Sequence, residues 1–456
     1  MLFTVASPDN RTRHFFLGIQ NNIHRLNVIN HKYTFAMKVF KFGGASVNSC
    51  QAIRNMATIV ERYSGHQLLI VVSAMGKTTN LLERVVPGVP HSKEERLNLL
   101  KQNEDFHINI MQQLFANDDN TTFKQIQTLF AQLNATTSSS PTNYNCDYDQ
   151  TVCFGELLST TIISGYLNSI GLRNKLLDVR HLIRTDTYHR EGNVDFALSE
   201  QLIRAATESA FHDCNIIVTQ GFIAGASDGS TTTLGREGSD YSASILSYCL
   251  HADDMTIWKD VPGFLNADPK HFKNTVKINQ IPYNEAIELA YYGASVIHPK
   301  TVKPIQNRSI PLHIKSFIDP SAPGSDIGPY AQIEPLTPLY IIKENQTLIS
   351  IHPKDFSFIA EENLHTIFAA LASLNVKVNM MQNSALSFSL CTDHNDILLS
   401  QLRENLSEKY LIHYNTGLQL VTIRYYNQQT IDDIVGGRNV ILQQRSRNTT
   451  QLLVEA

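Results

Sequence analysis

The sequence predicts an α/β protein in which a three-layer domain on a mainly parallel sheet precedes smaller β-rich units. Two observations support the large domain. Strand-like and helix-like segments alternate from Met37 onward, and runs such as LLIVVSA are apolar throughout, as in strands buried on both faces. A third observation supports the smaller units: beyond about residue 320 the order becomes strand–helix–strand–strand–helix–strand, which is typical of ferredoxin-like domains.

The composition is that of an ordinary globular chain. The 456 residues are 42% hydrophobic and 18% charged, which suits two or three domains with a full core. The net charge of -4 provides no basic field for nucleic acid, and no apolar run approaches the roughly 20 residues of a membrane helix. The six cysteines form no C-x-x-C pair, so we expect reduced thiols in a cytoplasmic protein.

The first 36 residues differ from the rest of the chain. They contain one acid, Asp9, and four arginines and lysines without a clear period. Organelle transit peptides have such a composition, but the arginine-rich amphipathic spacing of a transit helix is missing. We therefore expect residues 1–36 to be a disordered extension, or a stretch upstream of the true start codon, without catalytic residues.

The elements of the large domain, residues 37–320, follow from the spacing of apolar residues. Strands are predicted at MKVFKF, LLIVVSA, NKLLDV, NIIVTQGF and DMTIWKDV. Helices are predicted at CQAIRNMATIVERY, residues 93–133, Asp147–Leu167 with Glu156 near its middle, SASILSYCL and NEAIELAYYG. The Thr-, Ser- and Asn-rich stretch 135–145 is predicted to be an exposed loop.

The C-terminal part is predicted to be a regulatory module. Residues 321–340 are rich in proline, glycine and serine and indicate a linker. A first ferredoxin-like unit is expected over 341–415 and a second, abbreviated one over 416–456. The segments that carry reactive side chains all lie upstream of these units, which favours regulation over catalysis here.

Segments with residues suited to ligand binding follow the predicted strands of the large domain. Gly43 and Gly44 follow the first strand, Ser73 the second, and Lys259 with Asp260 a later one. Ligands of parallel sheets bind at the carboxyl ends of strands. The sequence therefore predicts one site at this edge of the sheet.

The loop Thr231–Ala243 places Arg236, Glu237, Ser239 and Asp240 at the start of a predicted helix. Glycine admits a ligand to the backbone, a helix start offers free N–H groups, and arginine suits carboxylates and phosphates. The pattern indicates a site for an anionic ligand, although a turn that merely caps a helix could have the same sequence.

Lys41 and the stretch VVSAMGKTTN suggest phosphate contacts. Lys41 lies beside the two glycines and could reach a terminal phosphate, or it could be a surface lysine on an edge strand. The stretch is not a P-loop, because Val71 stands at its first glycine position. Ser73 and Thr79 are candidates for hydroxyl contacts, with helix capping as the alternative.

Two further groups each allow two interpretations. Glu156 could bind an ammonium group or pair with a structural cation. Lys259, Asp260 and Lys270 adjoin Pro-Gly and Asp-Pro turns, and could contact a nucleotide or lie in a solvated loop.

Seven blocks resemble, in order and spacing, those of the aspartokinases. They are KFGGASV, VVSAMGKTTNLLE, FGELLST, VTQGFIAG, TTLGREGSDYSA, IWKDVPGFLNADP and YGASVIHPKTVKPI. The resemblance covers nearly all of 37–456, and the C-terminal part is similar to the tandem ACT domains of that family. It implies the amino-acid kinase fold, ATP and Mg²⁺ as cofactors, and phosphorylation of the β-carboxylate of L-aspartate, the first step of lysine, threonine and methionine biosynthesis.

The resemblance also implies roles for single residues. Lys41 would stabilise the transferring phosphoryl group, Asp240 would orient Lys41, and Gly43 and Gly44 would face the phosphates. The residues assigned to aspartate binding are Thr79, Glu156, Arg236 and Ser239, together with the candidate hydroxyl of Ser73. The residues assigned to the nucleotide are Lys259, Asp260 and Lys270.

Three positions depart from the family pattern. Threonine is usual where this chain has Ala45 and Lys259, and the family's nucleotide-contacting lysine is Ser295 here. We keep Ser295 in the predicted ATP site, where Lys300 could supply the missing charge from the next turn.

Two other functions are open at this point. One is a different amino-acid kinase, of the glutamate or acetylglutamate type, against which the tandem tail and GREGSDYSA argue. The other is a ligand-sensing homologue without activity, against which the joint presence of Lys41, Glu156, Arg236 and Asp240 argues.

The paired ACT units imply a homodimer or larger homo-oligomer that is inhibited by an end-product amino acid such as lysine or threonine. Residues 380–390 are the candidate effector region. Their alternating apolar residues would equally suit the packed core of a sheet.

Overall fold

The computed structural model describes residues 36–116, 121–294, 296–355 and 357–455. Ser295 and the predicted N-terminal extension, apart from its last residue, lie outside the described residues. None of the helices in the described ranges is long and apolar enough to cross a membrane.

The larger sheet has eight strands. In chain order they are β1 (Met37–Phe42), β2 (Gln67–Val72), β3 (Asn174–Leu177), β5 (Ile216–Gln220), β8 (Asp254–Lys259), β11 (Gln280–Pro282), β12 (Leu312–Ser316) and β13 (Ser325–Gly328). Their spatial order is β11-β13-β12-β8-β1-β2-β5-β3, and every neighbouring pair is parallel except β12 with β13. The predicted mainly parallel sheet is confirmed.

The five remaining short strands form one sheet of three strands and one of two, and the helices of this region connect or cover the large sheet. The short strands are β4 (Arg184–Thr185), β6 (Ile223–Ala226), β7 (Thr231–Thr233), β9 (Phe264–Leu265) and β10 (Lys277–Ile278). The helices are α1 (Cys50–Arg62), α2 (Thr78–Glu83), α3 (Lys93–Leu114), α4 (Thr121–Ser138), α5 (Tyr144–Val152), α6 (Phe154–Ser169), α7 (Phe196–Phe211), α8 (Gly238–Leu250), α9 (Tyr283–Tyr292) and α10 (Pro299–Asn307). Two helices, α6 and α8, pack directly on the central strands and are buried over most of their length.

Two helical predictions differ from the structure. The region 93–133 is two helices, and the second continues to Ser138, so the predicted loop 135–145 is shorter. Thr137 fits the helix because its hydroxyl donates to the carbonyl of Leu133. The predicted helix 147–167 is interrupted at Cys153, which places Glu156 in the first turn of α6 instead of mid-helix.

The smaller sheet has six antiparallel strands. They are β14 (Leu339–Pro353), β15 (Val378–Asn383), β16 (Phe388–Asp393), β17 (Tyr410–Arg424), β18 (Val440–Arg445) and β19 (Thr449–Glu455), in the spatial order β15-β16-β14-β17-β19-β18. Helices α11 (Glu361–Ser373) and α12 (Asp396–Leu406) pack on one half, and α13 (Gln428–Val435) packs on the other. We call residues 339–455 the C-terminal module.

Both halves of the C-terminal module share β14 and β17. Leu348–Pro353 of β14 pairs with Tyr410–Asn415 in the first half, and Leu339–Lys343 pairs with Leu420–Arg424 in the second. The second half therefore takes its fourth strand from the start of β14, which explains why residues 416–456 are too short for a full unit.

The predicted linker 321–340 contains a strand of the larger sheet. Ser325–Gly328 forms β13, and β14 begins already at Leu339. The Ser325 hydroxyl donates to the carbonyl of Ile278 and accepts from the Phe264 amide, while Ile327 is fully buried. These contacts hold a serine- and glycine-rich segment in the sheet.

A buried ion pair connects the C-terminal module to the larger sheet's helices. Arg424, at the end of β17, donates to Glu285 of α9 from Nε at 2.5 Å and from Nη2 at 2.7 Å. The hydroxyl of Tyr425 donates to the same carboxylate at 2.9 Å. The position of the module relative to α9 is thus fixed by a bidentate contact.

Candidate active site

A cavity of about 960 Å³ lies at the carboxyl ends of β1, β2 and β8. Most of the predicted site residues form its wall: Lys41, Gly44, Ser73, Thr79, Glu156, Arg236, Ser239, Asp240 and Lys259. The structure therefore brings together side chains that are up to about 200 residues apart in the sequence, as expected for the ends of neighbouring parallel strands.

Two lysines share one buried carboxylate in this cavity. Lys41 Nζ lies 2.7 Å from Asp240 Oδ1, and Lys259 Nζ lies 3.6 Å from Asp240 Oδ2. Burial of Asp240 opposes its ionisation, but the ammonium groups of Lys41 and Lys259 outweigh that effect and lower its pKa to about 2. Asp240 therefore stays charged and holds two cations beside the cavity.

Close backbone packing sets the positions of these side chains. A Cβ atom on Gly44 would lie 2.7 Å from the carbonyl oxygen of Ala74, so the loops after β1 and β2 can touch. A Cβ atom on Gly221 would lie 2.6 Å from the Ser239 Cβ, so the end of β5 can approach the start of α8. Gly43 lies next to Lys41, whose Nζ would be 3.3 Å from a Cβ there.

The start of α8 is arranged for an anion. Glu237 precedes the helix in a left-handed conformation, with φ 55°, and no side chain caps the first turn. Burial raises the pKa of Glu237, while Lys259 at 3.8 Å opposes that rise. The first-turn N–H groups and the two lysines thus face the same space.

Glu156 is a buried carboxyl group with one oxygen unbonded. The side chain is 2% exposed, Oε1 accepts from the Ala74 amide at 3.1 Å, and Oε2 has no hydrogen-bond partner among the described residues. Burial raises its pKa to about 8. The described part of the chain contains no cation paired with Glu156, so it offers no structural partner for this charge.

Arg236 lines the same cavity. It is exposed, and across the described ranges its side chain makes no hydrogen bond or ion pair. An unpaired planar cation in the same cavity as a buried carboxyl group suits a ligand that carries both a carboxylate and an ammonium group.

Sequence reasoning missed one wall of the cavity, which includes His189 and Arg190 and is held from behind by Asp149. Asp149 is fully buried and accepts hydrogen bonds from the Thr233 hydroxyl at 2.7 Å, the Arg190 amide at 2.8 Å and His189 Nδ1 at 3.1 Å. Arg190 in turn lies over the Tyr148 ring, 4.5 Å from its centre. The charged segment TYHREG was the available signal, but nothing local indicates that it folds back onto Asp149.

Asp260 and Lys270 line a different, neighbouring cavity of about 330 Å³. Its other wall residues are largely apolar and include Phe264, Leu289 and Ile341. Lys259 lies between the two cavities, because its Nζ donates to the carbonyl of Val296 at 2.5 Å and Val296 lines the second cavity.

Lys300, the predicted substitute for the charge absent at position 295, lines neither cavity. Its Nζ lies 3.4 Å from Oε1 of Glu191, which lines the larger cavity. Within the described residues, Lys259 is the lysine that lies between the two cavities.

Fold and site together define a phosphotransferase of the α/β class, and comparison with known proteins agrees. The sequence pattern of the amino acid kinase family matches residues 36–316. The chain belongs to that family and, within it, to the aspartokinases. It is 31% identical over 402 residues to lysine-sensitive aspartokinase 3 of Escherichia coli (strain K12). The aligned residues are 84% of this chain and 86% of the relative.

Solved structures show the same likeness. The structure of E. coli aspartokinase III with aspartate and ADP (R-state) matches with a TM-score of 0.79 and 27% identity, over 92% of this chain and 96% of that one. The structure of the same enzyme with lysine and aspartate (T-state) matches with a TM-score of 0.76 and 28% identity over the same shares. The family predicted from the seven blocks is confirmed.

Proposed function

We propose that this chain transfers the γ-phosphoryl group of ATP to the β-carboxylate of L-aspartate, forming 4-phospho-L-aspartate and ADP. The observation that carries the proposal is that one cavity contains two groups without a charged partner, the buried Glu156 carboxyl and the Arg236 guanidinium. Together they match the ammonium and α-carboxylate groups of an amino acid. The ligands of the E. coli relative, aspartate and ADP, support the same assignment.

The acceptor would be held at one end of the cavity. Arg236 and Ser239 would bind its α-carboxylate, Glu156 its ammonium group, and Ser73 and Thr79 would contribute hydroxyl groups. A side-chain carboxylate has a pKa of about 4, so it reaches the site as an anion and needs no general base. The chemical demand is to bring two anions together.

The phosphoryl group would be held by fixed positive charge. Lys41 and Lys259 would neutralise the charge that develops during transfer, and Asp240 would keep both ammonium groups in place. Gly43, Gly44 and the start of α8 would present backbone N–H groups to the phosphates. These groups are arranged before the ligand binds, which lowers the cost of reorganisation during the reaction.

The nucleoside end of ATP would occupy the neighbouring apolar cavity, with Asp260 and Lys270 at its polar edge. Among the described residues no group of three or more His, Cys, Asp or Glu side chains could hold a metal ion. We therefore propose that Mg²⁺ enters bound to the phosphates of ATP, where it would neutralise part of their charge.

The C-terminal module would carry regulation. The E. coli relative is described as lysine-sensitive, which supports an end-product amino acid as effector. Residues 380–390 stay the candidate region: Met380, Phe388 and Leu390 are buried, while Met381 and Leu386 are exposed. We also propose a homodimer or larger assembly through this module. A cytoplasmic location stays a prediction.

We propose the predicted division into a kinase part and two regulatory units, with Ser325–Gly328 assigned to the kinase part because it pairs in that sheet. Titration calorimetry with lysine, threonine and methionine tests the regulatory assignment. Absence of heat with all three would rule out these effectors.

A hydroxamate-trapping assay tests the proposed reaction. The enzyme is incubated with ATP, Mg²⁺ and hydroxylamine in the presence of aspartate, glutamate or N-acetylglutamate. We expect a hydroxamate, detected as its coloured iron(III) complex, with aspartate. Hydroxamate with glutamate or N-acetylglutamate alone, or with none of the three, would overturn the proposal.

A further inference from the structure

One residue in the cavity wall comes from outside the kinase part of the chain. The wall residues of the larger cavity lie between Lys41 and Lys259, with the exception of Asn375 in the C-terminal module. Asn375 lies in the turn that connects α11 to β15. The module therefore reaches the ligand-binding space of the kinase part within the same chain.

The conformation of Asn375 explains how the turn is made but leaves its side chain free. Asn375 has φ 53°, and the amides of Asn375 and Val376 donate to the carbonyls of Ala372 and Leu371. Asparagine is common at such helix ends because it tolerates the left-handed region. Its exposed side-chain amide has no hydrogen-bond partner in the described ranges. The amide is available to a ligand.

Cations of the kinase part and of the module affect the same titratable groups. Burial lowers the pKa of Lys343, and the charges of Lys377 and Arg236 lower it further. Burial likewise lowers the pKa of His298, aided by Lys300, Arg236 and Lys377. Arg236 of the kinase part and Lys377 of the module thus both lower the pKa of the same two groups.

Several contacts hold the C-terminal module against helix α9 and the residue that ends it. A Cβ atom on Gly293, at the end of α9, would lie 2.5 Å from Lys343 Cε, so β14 packs directly on this loop. Lys343 Nζ donates to Asn379 Oδ1 at 2.8 Å, and Arg424 binds Glu285 of the same helix. These contacts hold β14 and β17 of the module against α9 of the kinase part.

We propose that Asn375, in the turn after α11, forms part of the acceptor site, where its side-chain amide donates to the carboxylate that Arg236 binds. The inference rests on the proposed function. It makes Asn375 a binding residue contributed by the regulatory part of the chain. Any displacement of the module would withdraw this donor, so acceptor affinity would depend directly on the position of the module.

Steady-state kinetics of Asn375→Gly and Asn375→Ala test the inference in the full-length enzyme. Glycine keeps the left-handed turn and removes the amide, so a residue that merely caps the helix would leave kinetics unchanged. We expect the aspartate KM to rise about tenfold or more in both variants, because a hydrogen bond to a charged group is lost. The KM for ATP and the kcat should stay within about twofold.

Asn345 offers a matched control. It is another exposed asparagine of the module with positive φ, 52°, and it is absent from the cavity wall. Asn345→Gly should leave the aspartate KM unchanged. If both Asn375 variants keep the wild-type aspartate KM while Arg236→Ala raises it, this inference fails and the proposed function stands. If Arg236→Ala also leaves that KM unchanged, the proposed acceptor site itself is wrong.

Discussion

Two buried ion pairs of this molecule differ in how completely they are bonded. Arg424 and Glu285 form two short hydrogen bonds, and Tyr425 and Thr449 satisfy further atoms of the pair. Lys41 makes one contact of 2.7 Å with Asp240, and Lys259 contacts the same carboxylate. All three side chains face a cavity. Buried charges are costly unless they are bonded. The saturated pair joins two parts of the chain, whereas the unsaturated pair keeps positive charge available for an anionic ligand.

Removal of Lys41 should give the largest effect. Lys41→Met should lower kcat about 10³-fold, because a preorganised charge at the phosphoryl group is lost. The KM values should change by no more than about threefold, since binding uses other groups. Lys38→Met is the matched control, because Lys38 lies in the same strand and pairs with Asp254 outside the cavity. A kcat within tenfold of wild type for Lys41→Met would contradict the assignment.

Removal of Arg424 should act on stability instead. Arg424→Met leaves the Glu285 carboxylate buried without its cation, and we expect the free energy of unfolding to fall by about 3–5 kcal/mol. Urea denaturation followed by circular dichroism measures this change. The double variant Arg424→Met/Glu285→Leu should recover most of the loss, because no unpaired charge is left. A loss below about 1 kcal/mol for the single variant would show that this pair is not a structural connection.

Arg236→Ala should affect the binding of aspartate but not the binding of ATP. We expect the aspartate KM to rise about 10²-fold, because a charge-assisted contact to a carboxylate is worth roughly 1.5–3 kcal/mol. The KM for ATP should change less than about twofold. Lys300→Met serves as control, because that lysine contacts the wall residue Glu191 but does not itself line the cavity. Equal effects of Arg236→Ala on both substrates would refute the assignment.

Replacement of Glu156 should give the smallest of these effects, a change in the stability of the ligand-free enzyme. Its pKa of about 8 in the folded state exceeds its ordinary value of 4.5, so the folded protein binds the extra proton between these pH values. Stability is then lost as pH rises through this window. Glu156→Gln should raise the free energy of unfolding by about 1–2 kcal/mol at pH 8.5, because water in the open cavity relieves part of the full penalty. At pH 4.5 the two proteins should unfold alike, and a stability gain of equal size at both pH values would contradict this explanation.

The sequence predicted the parts of the molecule that depend on local pattern. Apolar runs identified the parallel strands, and the rule that ligands lie at strand ends brought Lys41, Ser73, Arg236 and Asp240 to one edge. Family resemblance then assigned chemistry to these positions. Each of these inferences needs a short segment and its neighbours in the chain.

Features that depend on contacts between distant segments were missed. The composition of Ser325–Gly328 is that of a linker. The segment is a strand only because of contacts with distant residues, through the Ser325 hydroxyl and through pairing with β11 and β12. The second regulatory unit looked incomplete because its fourth strand lies at the start of β14, about 80 residues upstream. Asn375 could not be assigned to the cavity either, since nothing in its own sequence neighbourhood indicates which surface the turn approaches.

The central claim is that Glu156 and Arg236 are left unsatisfied for an amino acid that binds between them. Titration calorimetry with aspartate at pH 7, in two buffers of different ionisation enthalpy, tests it directly. Glu156, with a pKa of about 8, must lose its proton to pair with the ammonium group of the ligand. We expect wild type to release about 0.9 proton per bound aspartate, and Glu156→Gln to release none and to bind weakly. Tight binding to wild type without proton release would contradict the account.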